Sequence, residues 1–364
     1  MQSLKRTAFF EIHKRLGAKL VEFGGYEMPV QYTGIMEEHR RVRNSVGVFD
    51  VSHMGEVEVR GRDALAFIQS VTINDASRLN EGRVQYSAMC YADGGIVDDL
   101  LVYNLGDHYM LVVNASNAAK DLAWLRDHLR GDVTLTDVSD ATALLAVQGP
   151  RSLEALCRIT DVDLATIPYY HAVRGRVAGV PMIISRTGYT GELGFELYFD
   201  AAPSTAEAVW QAVMDAGRPF SIGPAGLGAR DTLRLEMGFC LYGHDIDATT
   251  NPIEAGLGWI TKIDKGPFLG REPIRAMKAQ GPARKLVGFT LEDKAFPRQG
   301  YALRTDARDV GTVTSGTFSP TLGKGIGMGY VGAEFARPGT ALGVHVRGRD
   351  IPAVVVPVPF VTKK

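Results

Sequence analysis

Two adjacent aspartates, Asp98 and Asp99, stand inside the segment GGIVDDLLVY, which otherwise has the composition of a β-strand after a glycine turn. Aspartate is depleted from strands because a buried carboxylate loses its hydration. Successive strand residues face opposite sides, so the two carboxylates cannot act together on one substrate. Asp99 shares a face with Leu101 and Tyr103. A lone carboxylate on such an apolar wall favours a cationic or amine-bearing ligand, and a strand-end carboxylate bound to backbone N–H groups is the structural alternative.

A second set of candidate residues lies in two segments further along the chain. YTGELGFE contains Tyr189 at an expected hairpin turn and Glu196 at the start of the next strand, and GARDTLRLE contains Arg230 and Arg234. Like charges four residues apart on a helix repel each other. That repulsion is tolerable if one guanidinium leaves the surface for Glu196 or for a ligand. An internal arginine–glutamate ion pair and a ligand site are both consistent with this pattern.

The usual signatures of metal, nucleotide and covalent chemistry are missing from the sequence. The histidines are scattered, without an H-x-x-H or H-E-x-x-H pair or a Cys/His cluster. The glycine-rich segments GKGIGMG and GPAGLGARD lack the spacing of phosphate-binding loops, and there is no G-x-S-x-G. We therefore expect no metal site and no nucleotide cradle. His39 falls on the apolar face of an expected helix over 34–45, and we expect His39 and His53 to be structural.

Length and composition describe an ordinary globular protein. The chain has 364 residues, a net charge of −1 and 45% hydrophobic residues, which gives no electrostatic reason to bind nucleic acid or an anionic membrane. Its three cysteines form no C-x-x-C pair, which favours a reducing compartment. Neither a secretory signal nor a run of about 18 apolar residues is present. We expect a cytoplasmic protein, or one in an organelle such as the mitochondrial matrix after loss of a presequence.

The pattern of segments predicts an α+β protein. Strands joined by hairpins alternate with a few amphipathic helices from Gly55 to about residue 140, as in VQYSAMCYADGGIVDDLLVYNL and NAAKDLAWLRDHL. From Lys285 the chain turns to short strands rich in glycine and proline, which predicts a separate small β barrel or sandwich. The polar stretch REPIRAMKAQGPAR is the expected join.

These segments resemble one family across almost the whole chain, the tetrahydrofolate-dependent T-protein (aminomethyltransferase) of the glycine cleavage system. The segments that carry the resemblance are LGAKLVEFGGYEMPVQY, VGVFDVSHMGE, GGIVDDLLVY, LVVNASN, VQGP, SRTGYTGELGFE, GLGARDTLRLE, NPIEAGLGW and TSGTFSPTLGKGIGMG. The resemblance implies a three-domain cloverleaf around a central hole. Its domains would be 1–53 plus 141–280, then 54–140 with the catalytic aspartate, then the C-terminal β domain 281–364.

The resemblance also implies a reaction and its partners. Members of this family accept an aminomethyl group carried on the lipoyl arm of H-protein. They transfer its methylene to tetrahydrofolate, which gives 5,10-methylenetetrahydrofolate, ammonia and a dihydrolipoyl arm. Tetrahydrofolate is a co-substrate, and no metal is expected.

Residue roles follow from the same resemblance. Asp99 matches the catalytic aspartate near folate N10, and Glu196 matches the carboxylate that binds the 2-amino group and N3–H of the pterin. Arg230 and Tyr189 match the arginine and the aromatic side chain of that pocket. The pocket-lining positions are matched by Met54, Tyr86, Leu101, Tyr103 and Asn114. The family pocket can carry a tyrosine where this chain has Phe239, so one polar contact to folate is expected to be lost.

Two other functions remain open for a protein with these motifs. One is a folate-dependent demethylase acting on a sulfonium or a methylated amine, although such relatives do not keep SRTGYTGELGFE together with GGIVDDL. The other is a non-catalytic folate-binding accessory factor, whose K-G-C-Y-type motif is replaced here by GFCLYGHD. The basic segment HRRVR, His39–Arg43, is either a docking patch for an acidic H-protein or a solvated helix face.

Overall fold

The computed structural model describes residues 3–292, 295–306 and 308–362. The chain folds into two compact units. The first unit contains the chain up to Val71 together with Asp75–Ser87 and Asp99–Arg230. The second unit contains Thr72–Asn74, Ala88–Asp98 and the chain from Asp231 onward.

Eight α-helices form within the residues that the structure describes. Their bounds are α1 Phe10–Arg15, α2 Ile35–Asn44, α3 Ala64–Val71, α4 Ala118–Asp127, α5 Ser152–Leu156, α6 Pro203–Gly217, α7 Leu227–Glu236 and α8 Arg271–Gln280. Helix α6 starts with a proline at its first position, which the helix tolerates because that N–H has no intrahelical acceptor. Its buried residues Ala206, Val209, Trp210 and Val213 follow helical spacing.

A six-stranded sheet forms the centre of the first unit. Its strands, in spatial order, are β10 Ala172–Val177, β11 Val180–Ser185, β12 Gly194–Asp200, β9 Thr142–Gln148, β3 Gly47–Asp50 and β13 Gly223–Pro224. All neighbours are antiparallel except β13 and β3. The core on this sheet is apolar and includes Phe9 of the N-terminal segment and Trp210 of α6.

A five-stranded sheet and a hairpin hold the remaining strands of the N-terminal part. The sheet has the order β5 Val84–Cys90, β6 Ile96–Asn104, β7 Tyr109–Val113, β4 Gly55–Arg60 and β8 Thr134–Asp137. The hairpin consists of β1 Lys19–Phe23 and β2 Tyr26–Gln31. The turn of this hairpin contacts the loop after β7, because a Cβ built on Gly24 would lie 2.9 Å from the Cβ of Ala115. With a φ of +58°, Gly24 also has a backbone conformation that favours glycine.

The C-terminal part of the chain is a closed barrel within the second unit. Its six strands follow the order β14 Arg284–Leu291, β17 Lys324–Gly332, β16 Arg308–Ser319, β15 Ala302–Thr305, β18 Ala341–Val346 and β19 Arg349–Val356. Pairing between β14 and β19 closes it, which leaves no open sheet edge. Its interior is apolar, with Phe289, Leu303 and Val344 fully buried.

These elements confirm the α+β class and the C-terminal β domain expected from the sequence. The expected helix over 34–45 is α2, and His39 in it is fully buried. Most of the stretch that was expected to join the domains forms helix α8. Its Ile274 is buried, and its Glu272, Arg275 and Lys278 are exposed. The division into three domains stays a prediction.

Candidate functional site

Strand β6 separates its two aspartates as the period of two requires. Asp98 is fully buried, whereas Asp99 is partly exposed, and Leu101 on the same face as Asp99 is also partly exposed. The buried neighbours Leu100 and Val102 share the face of Asp98. Only the second carboxylate of the pair is therefore on the open face of the strand.

Two neighbouring strands orient the Asp99 carboxylate. The Tyr86 hydroxyl of β5 donates to Asp99 Oδ2 at 2.9 Å. The Asn114 amide, directly after β7, donates to Oδ1 at 2.8 Å and to the Asp99 carbonyl oxygen at 3.2 Å. These two bonds to the side chain hold the Asp99 carboxylate in one orientation.

Glu196 is the buried carboxylate of the six-stranded sheet. It lies on β12 opposite Ser185 of β11 and Ala146 of β9, and it is 7% exposed. Burial raises the pKa of Glu196, while the hydrogen bond from the Thr187 hydroxyl to Oε2 and the positive charge of Arg230 lower it. Burial is the larger effect, so the pKa of Glu196 lies above its usual value, and Thr187 and Arg230 offset part of the rise.

Arg230 of helix α7 stacks on an aromatic ring instead of forming an ion pair. Its guanidinium lies 4.7 Å from the centre of the Tyr189 ring, a cation–π arrangement. Burial lowers its pKa, and the nearby Tyr189 and Glu196 raise it. In the part of the chain that the structure describes, no hydrogen bond or ion pair engages this guanidinium, and the internal Arg230–Glu196 ion pair left open by the sequence does not form.

Beneath Glu196 lies a cluster of buried hydroxyl groups. Tyr103 is fully buried, and its hydroxyl lies 2.9 Å from that of Tyr198 and 3.4 Å from Thr187 Oγ1. Ser185 Oγ lies 3.3 Å from the Tyr103 hydroxyl and 2.8 Å from Thr187 Oγ1. Tyr103, which the sequence placed on the pocket wall, thus connects to Glu196 through other hydroxyls.

The predicted site residues fall into three local groups within the first unit. Asp99 is hydrogen-bonded to Tyr86 and Asn114, Glu196 is connected with Tyr103 through Thr187, and Arg230 is stacked on Tyr189. Met54 and Leu101 are partly exposed. Phe239 lies in the second unit, where its carbonyl oxygen accepts a hydrogen bond from Arg234 at 3.0 Å.

Tyr170 is a residue near these groups that sequence reasoning missed. Burial raises its pKa, and so do the negative charges of Asp99 and Glu196, so its side chain lies within electrostatic reach of both carboxylates. Its carbonyl oxygen accepts from the N–H of Val84 at 2.9 Å, next to the start of β5. The adjacent pair Tyr169–Tyr170 was the available sequence signal, since aromatic pairs often mark ligand surfaces.

His53 and Glu56 are buried titratable groups in the segment DVSHMGE. The pKa of His53 is lowered to about 4 by burial and by Arg230, so this histidine is neutral at neutral pH. Burial raises the pKa of Glu56 well above its usual range, and Asp137 and Glu196 add to the rise. His53 Nδ1 and both oxygens of Glu56 have no hydrogen-bond partner among the described residues.

The basic segment HRRVR is mostly engaged within the fold. His39 is fully buried. Arg41 pairs with Glu37 at 2.8 Å, and Arg43 pairs with Glu192 at 2.9 Å. Arg40 of this segment is exposed, and Arg41 and Arg43 are partly exposed.

The described residues contain neither a metal-binding cluster nor a helix that could span a membrane. No group of three or more His, Cys, Asp or Glu side chains in residues 3–292, 295–306 and 308–362 is arranged to hold a metal ion. Within the same ranges, no helix is long and apolar enough to span a bilayer.

Comparison with known proteins identifies the family. Residues 9–265 match the GCVT N-terminal domain, and residues 284–362 match the glycine cleavage T-protein C-terminal barrel domain. The chain is 52% identical to an aminomethyltransferase of Halothermothrix orenii, over 98% of this chain and all of that protein. It is 55% identical to an aminomethyltransferase of Porphyromonas gingivalis, over 98% of this chain and 99% of that protein.

A solved structure agrees with these sequence matches. The glycine cleavage system aminomethyltransferase T from Bartonella henselae superposes with a TM-score of 0.92 at 33% identity, covering 99% of this chain and 98% of that one. The fold and both matched domains define a member of the glycine cleavage T-protein family, to which this chain belongs. The enzyme is accordingly an aminomethyltransferase of the glycine cleavage system.

Proposed function

We propose that the enzyme moves the methylene carbon of an aminomethyl group from the lipoyl arm of H-protein to tetrahydrofolate. N5 and N10 of the folate each form a bond to that carbon, while its bonds to sulfur and to nitrogen break. The two protons displaced from N5 and N10 leave with the lipoyl thiol and with ammonia. The products are 5,10-methylenetetrahydrofolate, ammonia and dihydrolipoyl H-protein. The full-length similarity to aminomethyltransferases supports this reaction.

The observation that carries the proposal is the fixed orientation of Asp99 on the open face of β6. Tyr86 donates to one oxygen of the Asp99 carboxylate and Asn114 donates to the other, which fixes the side chain in one rotamer. In our proposal, Asp99 accepts the N10 proton and stabilises the iminium-like cation that forms when ammonia leaves. Much of the rate then comes from alignment of two bound reactants.

The pterin ring is assigned to the residues around Glu196. The 2-amino group and N3–H form a parallel donor pair that an ionised carboxylate accepts with two hydrogen bonds. Arg230, which stacks on Tyr189, has donors available for the acceptor edge of the ring. Met54 and Leu101 complete the proposed pocket wall. The cytoplasm is the proposed location.

The direct test is release of ammonia from a reconstituted mixture. Purified enzyme is incubated with tetrahydrofolate and aminomethyl-loaded H-protein, and ammonia and 5,10-methylenetetrahydrofolate are measured together. We expect both products in equal amounts, and only background ammonia without tetrahydrofolate. Methyl transfer from a methylated amine without ammonia would identify a demethylase instead. Tight folate binding without any turnover would identify an accessory factor.

A second experiment tests the carrier. Because no metal cluster or cofactor-binding lysine is evident in the sequence, the aminomethyl group must arrive already formed, and free glycine should support negligible turnover. We expect the Michaelis constant for H-protein to rise between about 50 and 300 mM salt, where the Debye length falls from roughly 14 to 6 Å. A Michaelis constant for H-protein that does not change with salt would contradict electrostatic steering. Efficient turnover of free glycine would contradict the need for a carrier protein.

A further inference from the structure

The buried hydroxyl cluster beneath Glu196 has a definite direction. Thr187 donates its single hydroxyl proton to Glu196 Oε2. Thr187 Oγ1 is then an acceptor, and the single proton of Ser185 is directed to Thr187 Oγ1 at 2.8 Å or to the Tyr103 hydroxyl at 3.3 Å. The Tyr103 hydroxyl, which lies 3.4 Å from Thr187, adds a weaker donor. The dipoles of these hydroxyls therefore point toward the carboxylate, an arrangement in which each bond strengthens the next.

The backbone that carries Thr187 is fixed by a buried glutamine. Gln148 is fully buried, and its Nε2 donates to the Thr187 carbonyl oxygen at 3.1 Å. The Thr190 hydroxyl donates to Gln148 Oε1 at 2.8 Å, which fixes the other end of the same amide. Gly188 packs so closely that a Cβ there would lie 2.1 Å from Gln148 Oε1. Thr187 is thus held on both sides of its side chain, by its hydroxyl partners and by its backbone.

This arrangement leaves one side of the Glu196 carboxylate open. Oε2 accepts from Thr187, whereas Oε1 has no hydrogen-bond partner within the described ranges. A ligand with two adjacent N–H donors needs both oxygens in one plane and in one rotamer. The hydrogen bond from Thr187 to Oε2 fixes the rotamer of Glu196, and Oε1 is left for the ligand.

We propose that Thr187 is a positioning residue for folate binding, which keeps the Glu196 carboxylate aligned for the paired N–H donors of the pterin. Ser185 and Tyr103 orient the Thr187 hydroxyl, and Tyr198 in turn contacts Tyr103. This inference rests on the proposed role of Glu196. It predicts that a residue without access to the folate changes the pH dependence of folate binding.

The test is calorimetric measurement of tetrahydrofolate binding between pH 5 and pH 8 for Thr187→Val and Thr187→Ser. Valine keeps the shape and removes the donor, so we expect about tenfold weaker binding at neutral pH. The hydrogen bond from Thr187 lowers the pKa of Glu196, so its removal must raise that pKa. The pH below which tetrahydrofolate affinity falls should therefore be higher in Thr187→Val than in the parent enzyme. In Thr187→Ser it should equal the value of the parent enzyme. The kcat at saturating folate should change little.

The matched control is Thr7→Val. Thr7 is also a buried threonine of the first unit whose hydroxyl donates to a buried carboxylate, Asp50 Oδ2, at 2.6 Å. Its loss should reduce stability in a similar way and leave the pH dependence of folate binding unchanged. Should Thr187→Val fail to fold, Tyr103→Phe gives the same test, with a smaller shift in the same direction.

Two outcomes separate this inference from the proposed function. If Glu196→Gln binds tetrahydrofolate as tightly as the parent enzyme, Glu196 does not bind the pterin and the proposed pterin site is wrong. If Glu196→Gln binds weakly but folded Thr187→Val shows the parent pH profile, the pterin site stands and the role of Thr187 is overturned.

Discussion

The region around Arg230 in the first unit and the region around Arg234 in the second differ in how completely their donors are satisfied. Arg234 is 2% exposed and donates to the carboxylate of Asp245 at 2.8 Å, to the Phe239 carbonyl oxygen at 3.0 Å and to Ser315 Oγ at 2.9 Å. Arg230 lies four residues earlier in helix α7. Among the described residues, its guanidinium forms a cation–π contact with the Tyr189 ring and no hydrogen bond or ion pair.

The carboxylates of the two regions show the same contrast. Glu236 of α7 is fully buried and accepts from the hydroxyls of Ser319 and Thr321 and from the Thr321 N–H. Glu196 accepts one internal bond and keeps Oε1 without a partner among the described residues. A region that satisfies its polar groups internally contributes to stability. A region that leaves donors and acceptors available at a buried position is adapted to a ligand, because unmade bonds there cost free energy.

The largest expected effect concerns the open carboxylate of β6. Asp99→Asn should lower kcat by about 10²–10⁴-fold and keep folate binding within about tenfold, because the amide cannot accept a proton. Asp98→Asn should lower kcat much less, since Asp98 lies on the buried face. Single-turnover kinetics and folate calorimetry on both folded variants would decide. Equal kinetic damage from the two changes would contradict the assignment of Asp99.

The second prediction tests the contrast between the two arginines directly. Arg234→Met leaves the buried Asp245 carboxylate without its charged partner and should lower the free energy of unfolding by about 3–5 kcal/mol. Arg230→Met should change stability little and weaken folate binding. Chemical unfolding and calorimetry on both variants give the answer. Loss of stability in both, with unchanged folate binding in Arg230→Met, would show that both arginines are structural.

The third prediction concerns the proposed pterin carboxylate. Glu196→Ala should weaken tetrahydrofolate binding by roughly 2–4 kcal/mol, because it removes a charge-assisted pair and leaves pterin donors unpaired. The free energy of unfolding should not fall in this variant, because burial of the Glu196 carboxylate raises its pKa and so disfavours its charged form in the folded protein. Calorimetry on the folded variant measures the first effect. An unchanged dissociation constant would leave Glu196 without a role in folate recognition.

Local pattern accounted for part of this site, and long-range contacts for the rest. The period of two placed Asp98 and Asp99 on opposite faces of the strand. The spacing of Arg230 and Arg234 suggested that one of the two guanidinium groups finds a partner, and Arg234 does so by pairing with Asp245. The bond between Tyr103 and Thr187 joins residues 84 positions apart. A contact between two strands so distant in sequence leaves no local pattern, so sequence reasoning could not find Thr187.

The pocket residues Asp99, Glu196 and Arg230 were reached mainly through resemblance to a family. Nothing in the spacing of GGIVDDLLVY distinguishes a ligand-binding aspartate from a capped strand end. In the structure, the Asp99 carboxylate accepts hydrogen bonds from the side chains of Tyr86 and Asn114. The role of Asp99 in the reaction stays a prediction for kinetics to test.

The last prediction concerns Glu56 on β4, a buried carboxyl of the first unit whose two oxygens have no hydrogen-bond partner among the described residues. Burial raises its pKa in the folded protein well above 4.5, and the nearby Asp137 and Glu196 contribute in the same direction. The side chain is therefore protonated when folded and ionised when unfolded over the pH range between the two pKa values. Stability from this group is fully present below the unfolded pKa and is lost as pH rises toward the folded pKa.

Glu56→Gln removes this titration and keeps the shape of the side chain. The variant should gain stability over the parent as pH rises from 5 to 8, by up to about 1.4 kcal/mol per pH unit within the window between the two pKa values. Urea unfolding at each pH measures the difference between the two proteins. A difference that does not change with pH would mean that the pKa of Glu56 is not raised in the folded protein, so that this region would be internally satisfied like the one around Arg234.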